Sequence, residues 1–330
     1  MDIKLKKDIY EEIRGLLKSA RENIVSTINS TMAKTYFLIG KKIVEEEQNG
    51  EERAEYGEEL VKNLSLKLTK EFGKGFSKTN LKQMKSFYIA YRKGQTLSDQ
   101  FRLSWSHYLI LMRMENLDER NFYEIEAIEN NWSLRELRRQ IDSALYERLV
   151  LSRDKEKVRS LTLKGQIIEK AEDIVKDPYI LEFLGLEEQN SYSENRLETE
   201  IINNLEKFLL ELGKGFTFVG RQVRFTFDEK HFRVDLVFYN RLLKCFVLID
   251  LKIGEVTHQD LGQMQMYVNY YDRYVKLDDE NKTIGIIICR DKNDILVKMT
   301  LPEDNQQIFA SRYMTVLPSK EELKKIVEGK

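Results

Sequence analysis

Two stretches built like core strands, "VDLVFYN" (234–240) and "CFVLIDLKIGE" (245–255), carry three charges that a core would refuse: Asp235, Asp250 and Lys252. Strand side chains alternate between faces, so Asp250 and Lys252 share one face and Leu251 points to the other. A turn near "NRLLK" lets the strands pair antiparallel, which sets Asp235 near Asp250. Neighbouring carboxylates repel, and burial raises the cost of each. A divalent cation relieves both effects. Magnesium takes oxygen ligands, keeps several waters and needs one or two protein carboxylates; manganese is the alternative. The Leu251 carbonyl could add an oxygen. Lys252 could orient or deprotonate an attacking nucleophile, because desolvation and a nearby cation lower a lysine pKa. The plainer reading is a surface ladder in which Asp235 pairs with Arg233 or Arg224. Against it stand the apolar runs, which suit strands buried on both faces, where unpaired charge is costly.

Other polar residues extend the set. Gln263 and Tyr267 lie four apart on one helix face and can hold a phosphate oxygen or a metal water; equally, "MQMYVNYY" suits a packed amphipathic helix. His258 could approach a phosphate, and Arg221 and Gln222 in "GRQVR" could touch a nucleic-acid backbone, but all three read more readily as ordinary polar positions. In the first half, "EFGKGFSKTNLKQMKSFYIAYRK" has the outline of a helix-turn-helix. Lys74, Lys78, Lys82 and Lys85, with Asn80 near the helix start, could bind DNA phosphate, as could Arg135, Arg138 and Arg139 in "NWSLRELRRQI". A solvated charged face explains both stretches equally well.

The elements that must position these residues fall into two grammars. Up to about residue 190 the apolar period is helical, with helices expected over 57–72, 77–93, 104–114, 118–130, 133–150 and 153–175. Gly50, Gly57, Gly73 and Gly94 read as helix stops. Ser77 and Ser133 read as N-caps, the latter with Glu136 as in a capping box. From about 215, aromatic and β-branched runs separated by polar turns read as strands. A helix over about 193–212 precedes them and "HQDLGQMQMYVNYYDRYV" interrupts them. The expected architecture is α+β in two domains: a helical, helix-turn-helix-like domain (1–150), a helical linker (151–190), and an α/β domain with a mixed sheet (191–330). The boundary is expected in the polar stretch 184–196.

Composition bounds the rest. The chain has 330 residues, 54 basic and 55 acidic, so any basic surface must be local. No apolar run suits a membrane span and the start lacks a signal-peptide centre, which points to a cytoplasmic protein. Two cysteines exclude a cysteine zinc site, and their place in apolar runs predicts buried thiols.

The motif "VDLVFYN…FVLIDLKIGE…GQMQMY" resembles the PD-(D/E)XK nuclease superfamily, and within it the YhcG-type family. Asp235, Asp250, Lys252, Gln263 and Tyr267 carry the resemblance, supported by "FLLELGKGFTFVGRQVRF", "LSWSHY", "RNFYEIEA" and "NWSLRELRRQI". The family more often has glutamate where this chain has Asp250. The resemblance implies a restriction-endonuclease-like, four-stranded mixed sheet flanked by helices and magnesium-dependent phosphodiester hydrolysis on DNA. It also implies a further metal carboxylate on the helix before the sheet. Among Glu198, Glu200, Glu206 and Glu211, the apolar stripe Leu205–Leu209–Leu212 favours Glu198, at an exposed helix start; Glu206 is the alternative, and Glu200 and Glu211 should face solvent. The expected protein is a metal-dependent DNA endonuclease, with branched or recombination-type DNA as a candidate substrate and a homodimer left open. A non-catalytic DNA- or partner-binding protein on the same fold, and a hydrolase of another phosphoester, are the alternatives.

Overall fold

The computed structural model describes residues 2–49, 54–92, 101–151, 155–186, 192–227 and 229–319. Gly50, Gly94, residues 187–191 of the expected boundary and the tail beyond 319 lie outside the described residues. Contacts divide the chain into two units, Met1–Leu137 and Arg138–Lys330.

The first unit is helical: α1 (Asp2–Asn49), α2 (Ala54–Phe72), α3 (Lys78–Tyr91), α4 (Trp105–Leu111), α5 (Leu117–Glu129) and the start of α6 (Leu134–Asp142). Glycine sets the closest approach: a Cβ on Gly40 of α1 would lie 2.0 Å from the Met84 carbonyl oxygen of α3. Phe87 anchors an aromatic core, its ring centroid 5.0 Å from those of Phe101 and Tyr108. Gly57 lies inside α2 rather than ending a helix, whereas Gly73, at φ 90°, does follow the end of α2. Ser77 caps α3 through the Asn80 N–H. Ser133 and Glu136 form the expected reciprocal cap, at 3.3 and 2.6 Å.

Three expected helices prove shorter. The span 133–150 is split into α6 and α7 (Leu145–Leu151), because Ala144 turns at φ 50° and the Arg148 guanidinium binds the freed Ser143 carbonyl at 3.0 Å. The span 153–175 holds α8 (Lys155–Lys164), ended by Gly165 at φ 70°. The span 193–212 is parted into α9 (Glu194–Asn203) and α10 (Leu205–Leu212) at Asn204, whose side-chain amide bonds the Glu200 carbonyl at 3.1 Å.

The second unit is a mixed sheet between helices. Its strands are β1 (Tyr179–Ile180), β2 (Phe216–Phe227), β3 (Lys230–Asn240), β4 (Cys245–Glu255), β5 (Ile284–Asp291) and β6 (Ile308–Met314), in the order β1-β6-β5-β4-β3-β2. There are six strands, not four: β1, inside the stretch expected as helical linker, pairs parallel with β6. Strands β2, β3 and β4 are antiparallel neighbours; β4, β5 and β6 run parallel, joined by α11 (His258–Tyr274) and α12 (Asp294–Thr300). Parallel neighbours need crossovers, and these helices provide them. One sheet face packs Val247, Ile249 and Leu251 with Leu197, Ile201 and Phe208 of α9 and α10. The other packs Val237 and Leu248 with Leu261, Met264 and Val268 of α11. A Cβ on Gly285 would meet the Met264 sulfur at 2.5 Å, so this glycine lets α11 lie close on β5.

Glu211, expected to face solvent, is fully buried. Its Oε1 accepts from Arg148 at 2.6 Å and from the Ile180 N–H at 2.9 Å, and Arg139 lies 3.4 Å from Oε2. Burial opposes the charge, but Arg148, Lys176 and Arg139 hold the carboxyl down, to about 2. This network ties α6 and α7 to α10 and β1.

Candidate active site

The β3–β4 register pairs Asn240 with Cys245 and Leu236 with Ile249, so one step further Asp235 opposes Asp250. By alternation both share the face of Val237 and Leu248, which α11 covers. Asp250 is 4 % exposed and its Oδ2 has no aligned hydrogen-bond donor. Burial, and the charge of Asp235, push its carboxyl up, to about 7. Asp235 is better satisfied: Oδ2 accepts the Leu251 N–H at 2.9 Å and Oδ1 accepts from Gln222 Nε2 at 2.9 Å. For Leu251, then, it is the N–H that meets Asp235, beside the carbonyl expected as a ligand.

Lys252 is ringed by acids. Its Nζ lies 3.1 Å from Asp250, 3.5 Å from Asp260 and 4.0 Å from Glu194. Burial alone would lower its pKa, as the sequence suggested. Asp250, Glu194 and Asp260 outweigh burial and hold the ammonium above its ordinary range. The residue stands as a fixed cation.

Glu198 is not at an exposed helix start; it is 2 % exposed. Its Oε1 pairs with Arg221 and its Oε2 accepts from Gln222 Nε2 at 2.7 Å. Gln222 therefore donates one amide nitrogen to both Glu198 and Asp235, joining the helix carboxylate to the strand pair. The break at Asn204 defeats the stripe argument that related Glu198 to Leu205. Glu206 is exposed and Glu200 half-buried.

On α11, Gln263 Nε2 donates to the Tyr267 hydroxyl, and Tyr267 is 1 % exposed in the core. Burial, reinforced by the charges of Asp250 and Asp235, raises its phenol above the ordinary value. Tyr267 is thus a packed residue that also faces the acids.

Two site neighbours, Asp260 and Glu194, escaped the sequence reading, and a third, Gln222, was read there as an ordinary polar position at a strand end but is bonded to Glu198 and Asp235. Gln222 sits at φ 48°, a left-handed conformation unusual for its type and costly enough to suggest function. No local pattern announces it. Asp260 caps α11 with Thr257, each backbone N–H bonding the other's side chain at 2.8 and 3.3 Å. The "THQD" spacing could have revealed it. Glu194 opens α9 and needed tertiary contacts.

The residues proposed for DNA divide. Lys78, Arg135 and Arg138 are exposed. Lys82 lies 3.6 Å from Glu58, and Lys85 pairs with Glu47. Arg221 is committed to Glu198 and to Thr199 at 3.1 Å. Asn80 accepts from Trp105 Nε1 at 3.0 Å and donates to the Gly75 carbonyl, so its amide is used within the helical unit.

Among the described residues no three acids, histidines or cysteines gather as a ready metal cluster. The donor set is two facing carboxylates, one of them buried with Lys252 as its ion-pair partner, and Glu198 joined through an amide. Such a set fits magnesium, which needs few protein carboxylates.

Residues 12–148 match the DUF1016 N-terminal domain, and residues 172–328 match the YhcG PDDEXK nuclease domain. The Escherichia coli (strain K12) protein called "Putative nuclease YhcG" is 38 % identical over 345 residues, which is 96 % of this chain and 92 % of that protein. Two solved structures match part of the chain. A repair endonuclease from Pyrococcus abyssi is 17 % identical, over 38 % of this chain and 49 % of its own, with a TM-score of 0.26. An EndoMS–dsDNA complex is 16 % identical, over 41 % of this chain and 51 % of its own, with a TM-score of 0.27. With the strand carboxylates paired as described and the relative matched nearly end to end, this chain belongs to the YhcG family of PD-(D/E)XK nucleases.

Proposed function

We propose that this nuclease is a divalent-metal-dependent DNA endonuclease using magnesium or manganese. The observation that carries the reading is Asp250: a buried carboxylate set opposite a second aspartate, with the Lys252 ammonium at 3.1 Å. Asp235 and Asp250, with the Leu251 carbonyl and Glu198 as further oxygens, would hold the ion. Bound there, it supplies positive charge to a phosphodiester and to the attacking water. Lys252, fixed as an ammonium by three acids, positions the nucleophile or the phosphate rather than taking a proton. Gln263 orients Tyr267 toward the acids. Exposed Lys78, Arg135 and Arg138 would attract the DNA backbone, with branched DNA as a candidate substrate. A cytoplasmic setting accords with such a substrate; no described helix is long and apolar enough to cross a membrane.

The full chain should cut DNA with magnesium and stop with EDTA, and branched and linear duplexes compared side by side would rank the substrates. Cleavage that persists in EDTA, or at wild-type rate in Asp250→Asn, overturns the mechanism. A second reading, a nuclease fold that binds DNA without turnover, draws on Glu198 being held by Arg221. It predicts metal binding with no cleavage.

Self-association belongs to the same reading. On α1, Ile13, Leu17 and Ile24 are 50, 57 and 59 % exposed, with Ala20 between them at three- and four-residue spacing. Monomers seldom leave such a stripe uncovered. Arg14 and Arg21 flank it on one side and Glu12 on the other, so a second α1 would meet complementary charge. Light scattering should report a dimer or larger assembly that Leu17→Glu dissociates; a wild-type monomer rejects this.

A further inference from the structure

A cavity of about 300 Å³ opens between the end of β2 and α11. Phe225, Phe227, Tyr270 and Tyr274 line it. The Phe225 and Tyr270 rings stack at 4.1 Å, and Tyr274 follows Tyr270 at 5.2 Å. Phe227 and Tyr274 are 53 and 64 % exposed, which is unusual for rings of this size. Polar groups complete the lining: Gln265, Asn269 and Arg273. The two side-chain amides lie one helical turn apart, 3.4 Å from each other, and offer both donors and acceptors. Among the described residues lining the cavity Arg273 is the one charged side chain, and none is a carboxylate.

Buried Tyr267 stands between the cavity wall and the acids. Phe225 meets Tyr267 edge-on at 5.5 Å, and Tyr267 feels the charges of Asp250 and Asp235. Phe225 is three residues along β2 from Gln222, about 10 Å at the strand rise. Gln222 is bonded to Asp235. That reach corresponds to roughly three steps of a nucleic-acid strand at about 3.4 Å each.

We infer that this cavity is a stacking subsite for an unpaired nucleobase of the strand being cut. The inference rests on the nuclease reading and names its substrate class: DNA with a single-stranded segment next to the scissile phosphate. A base in a duplex presents only its edges, because its faces are stacked. An unpaired base offers a face to an aromatic ring, and such stacking tolerates any sequence. The volume suits one base rather than a run of them, and it falls at the lower end for ligand pockets. The amides can meet the base edge, and Arg273 the adjoining phosphate. A hydrophobic peptide would find the same rings, but Arg273, in a lining without acids among the described residues, favours an anionic strand.

The test uses the full chain in EDTA, with a blunt duplex and the same duplex carrying a single-stranded overhang with a 2-aminopurine. The overhang should tighten binding about tenfold, and the aminopurine fluorescence should be quenched. Phe227→Ala with Tyr274→Ala should abolish both effects and leave blunt-duplex affinity unchanged. Gly262→Leu provides an independent check. A Cβ at Gly262 meets nothing within 4 Å, so the new side chain narrows the cavity mouth without removing any ring. Equal binding of the two DNAs, or loss of affinity for both in the variants, overturns the subsite while leaving the nuclease reading intact. Absence of binding to either DNA removes the nuclease reading and the subsite with it.

Discussion

Asp250 stands across the β3–β4 ladder from Asp235, its Oδ2 buried and met by the Lys252 ammonium at 3.1 Å. Two carboxylates this poorly solvated repel, and the raised pKa of Asp250 records it. The arrangement is balanced only when positive charge is added.

Replacing Asp250 by Asn should therefore leave the metal-free protein as stable as wild type or more so, because it removes the repulsion. Magnesium should stabilise wild type by about 2.7 kcal/mol at a hundredfold excess over Kd. The variant should gain nearly nothing. Thermal melts with and without magnesium decide it: equal stabilisation of the two proteins would remove Asp250 from the ligand set.

Lys252 tests positioning against proton transfer. Held above its ordinary pKa by Asp250, Asp260 and Glu194, it should not titrate near neutrality. Lys252→Arg keeps the charge and should retain part of the cleavage rate. Lys252→Gln should lose about a hundredfold or more, as removal of a catalytic group commonly does. If Arg and Gln variants are equally inactive and the wild-type rate rises with a single ionisation that both lack, Lys252 acts as a base.

Glu198 is joined to Asp235 through Gln222, whereas Glu206 is exposed. Glu198→Gln should slow cleavage at least tenfold and weaken magnesium stabilisation, and Glu206→Gln should do neither. Matched assays showing the opposite order would hand the role to Glu206.

Glu211 predicts an acid limb in stability. Its folded pKa, about 2, lies below the ordinary 4.5. A depressed carboxyl contributes stability above its unfolded pKa and loses it as pH falls through the folded one. The shift amounts to about 3 kcal/mol, present at neutral pH and lost between about pH 4.5 and 2. Glu211→Gln should cost about 3–5 kcal/mol at pH 7, since it leaves Arg148 buried without its partner. It should also flatten the acid limb. Urea titrations across pH measure both, and an unchanged acid limb in the variant would refute the assignment.

The exposed cations should outrank the paired ones in DNA binding. Lys78→Gln and Arg135→Gln should each lower affinity and reduce the slope of log K against log salt by about 0.9. Lys85→Gln should change little, because Lys85 is already neutralised by Glu47. A Lys85 effect as large as that of Lys78 would place the DNA on a different face.

Much of the chemistry is local and therefore readable in the chain. Alternation puts Asp250 and Lys252 on one face, a short turn puts Asp235 opposite, and cap patterns at Ser77 and Ser133 mark helix starts. Each depends on neighbours a few residues away. The short strand β1, paired with β6, and Glu211 in its cage of Arg148 and Arg139 depend on partners dozens of residues distant, while the breaks at Ala144 and Asn204 rest on backbone turns that no residue type there announces. Propensity cannot see them. The same holds at the site. Sequence alone names the two strand aspartates and the lysine, because charge inside an apolar strand is a local anomaly. Only the tertiary structure decides that Gln222 joins Glu198 to Asp235 and that Glu194 and Asp260 keep Lys252 charged. A pKa and a bridging amide are set by whatever the fold brings within a few ångströms, and by how much water it leaves there.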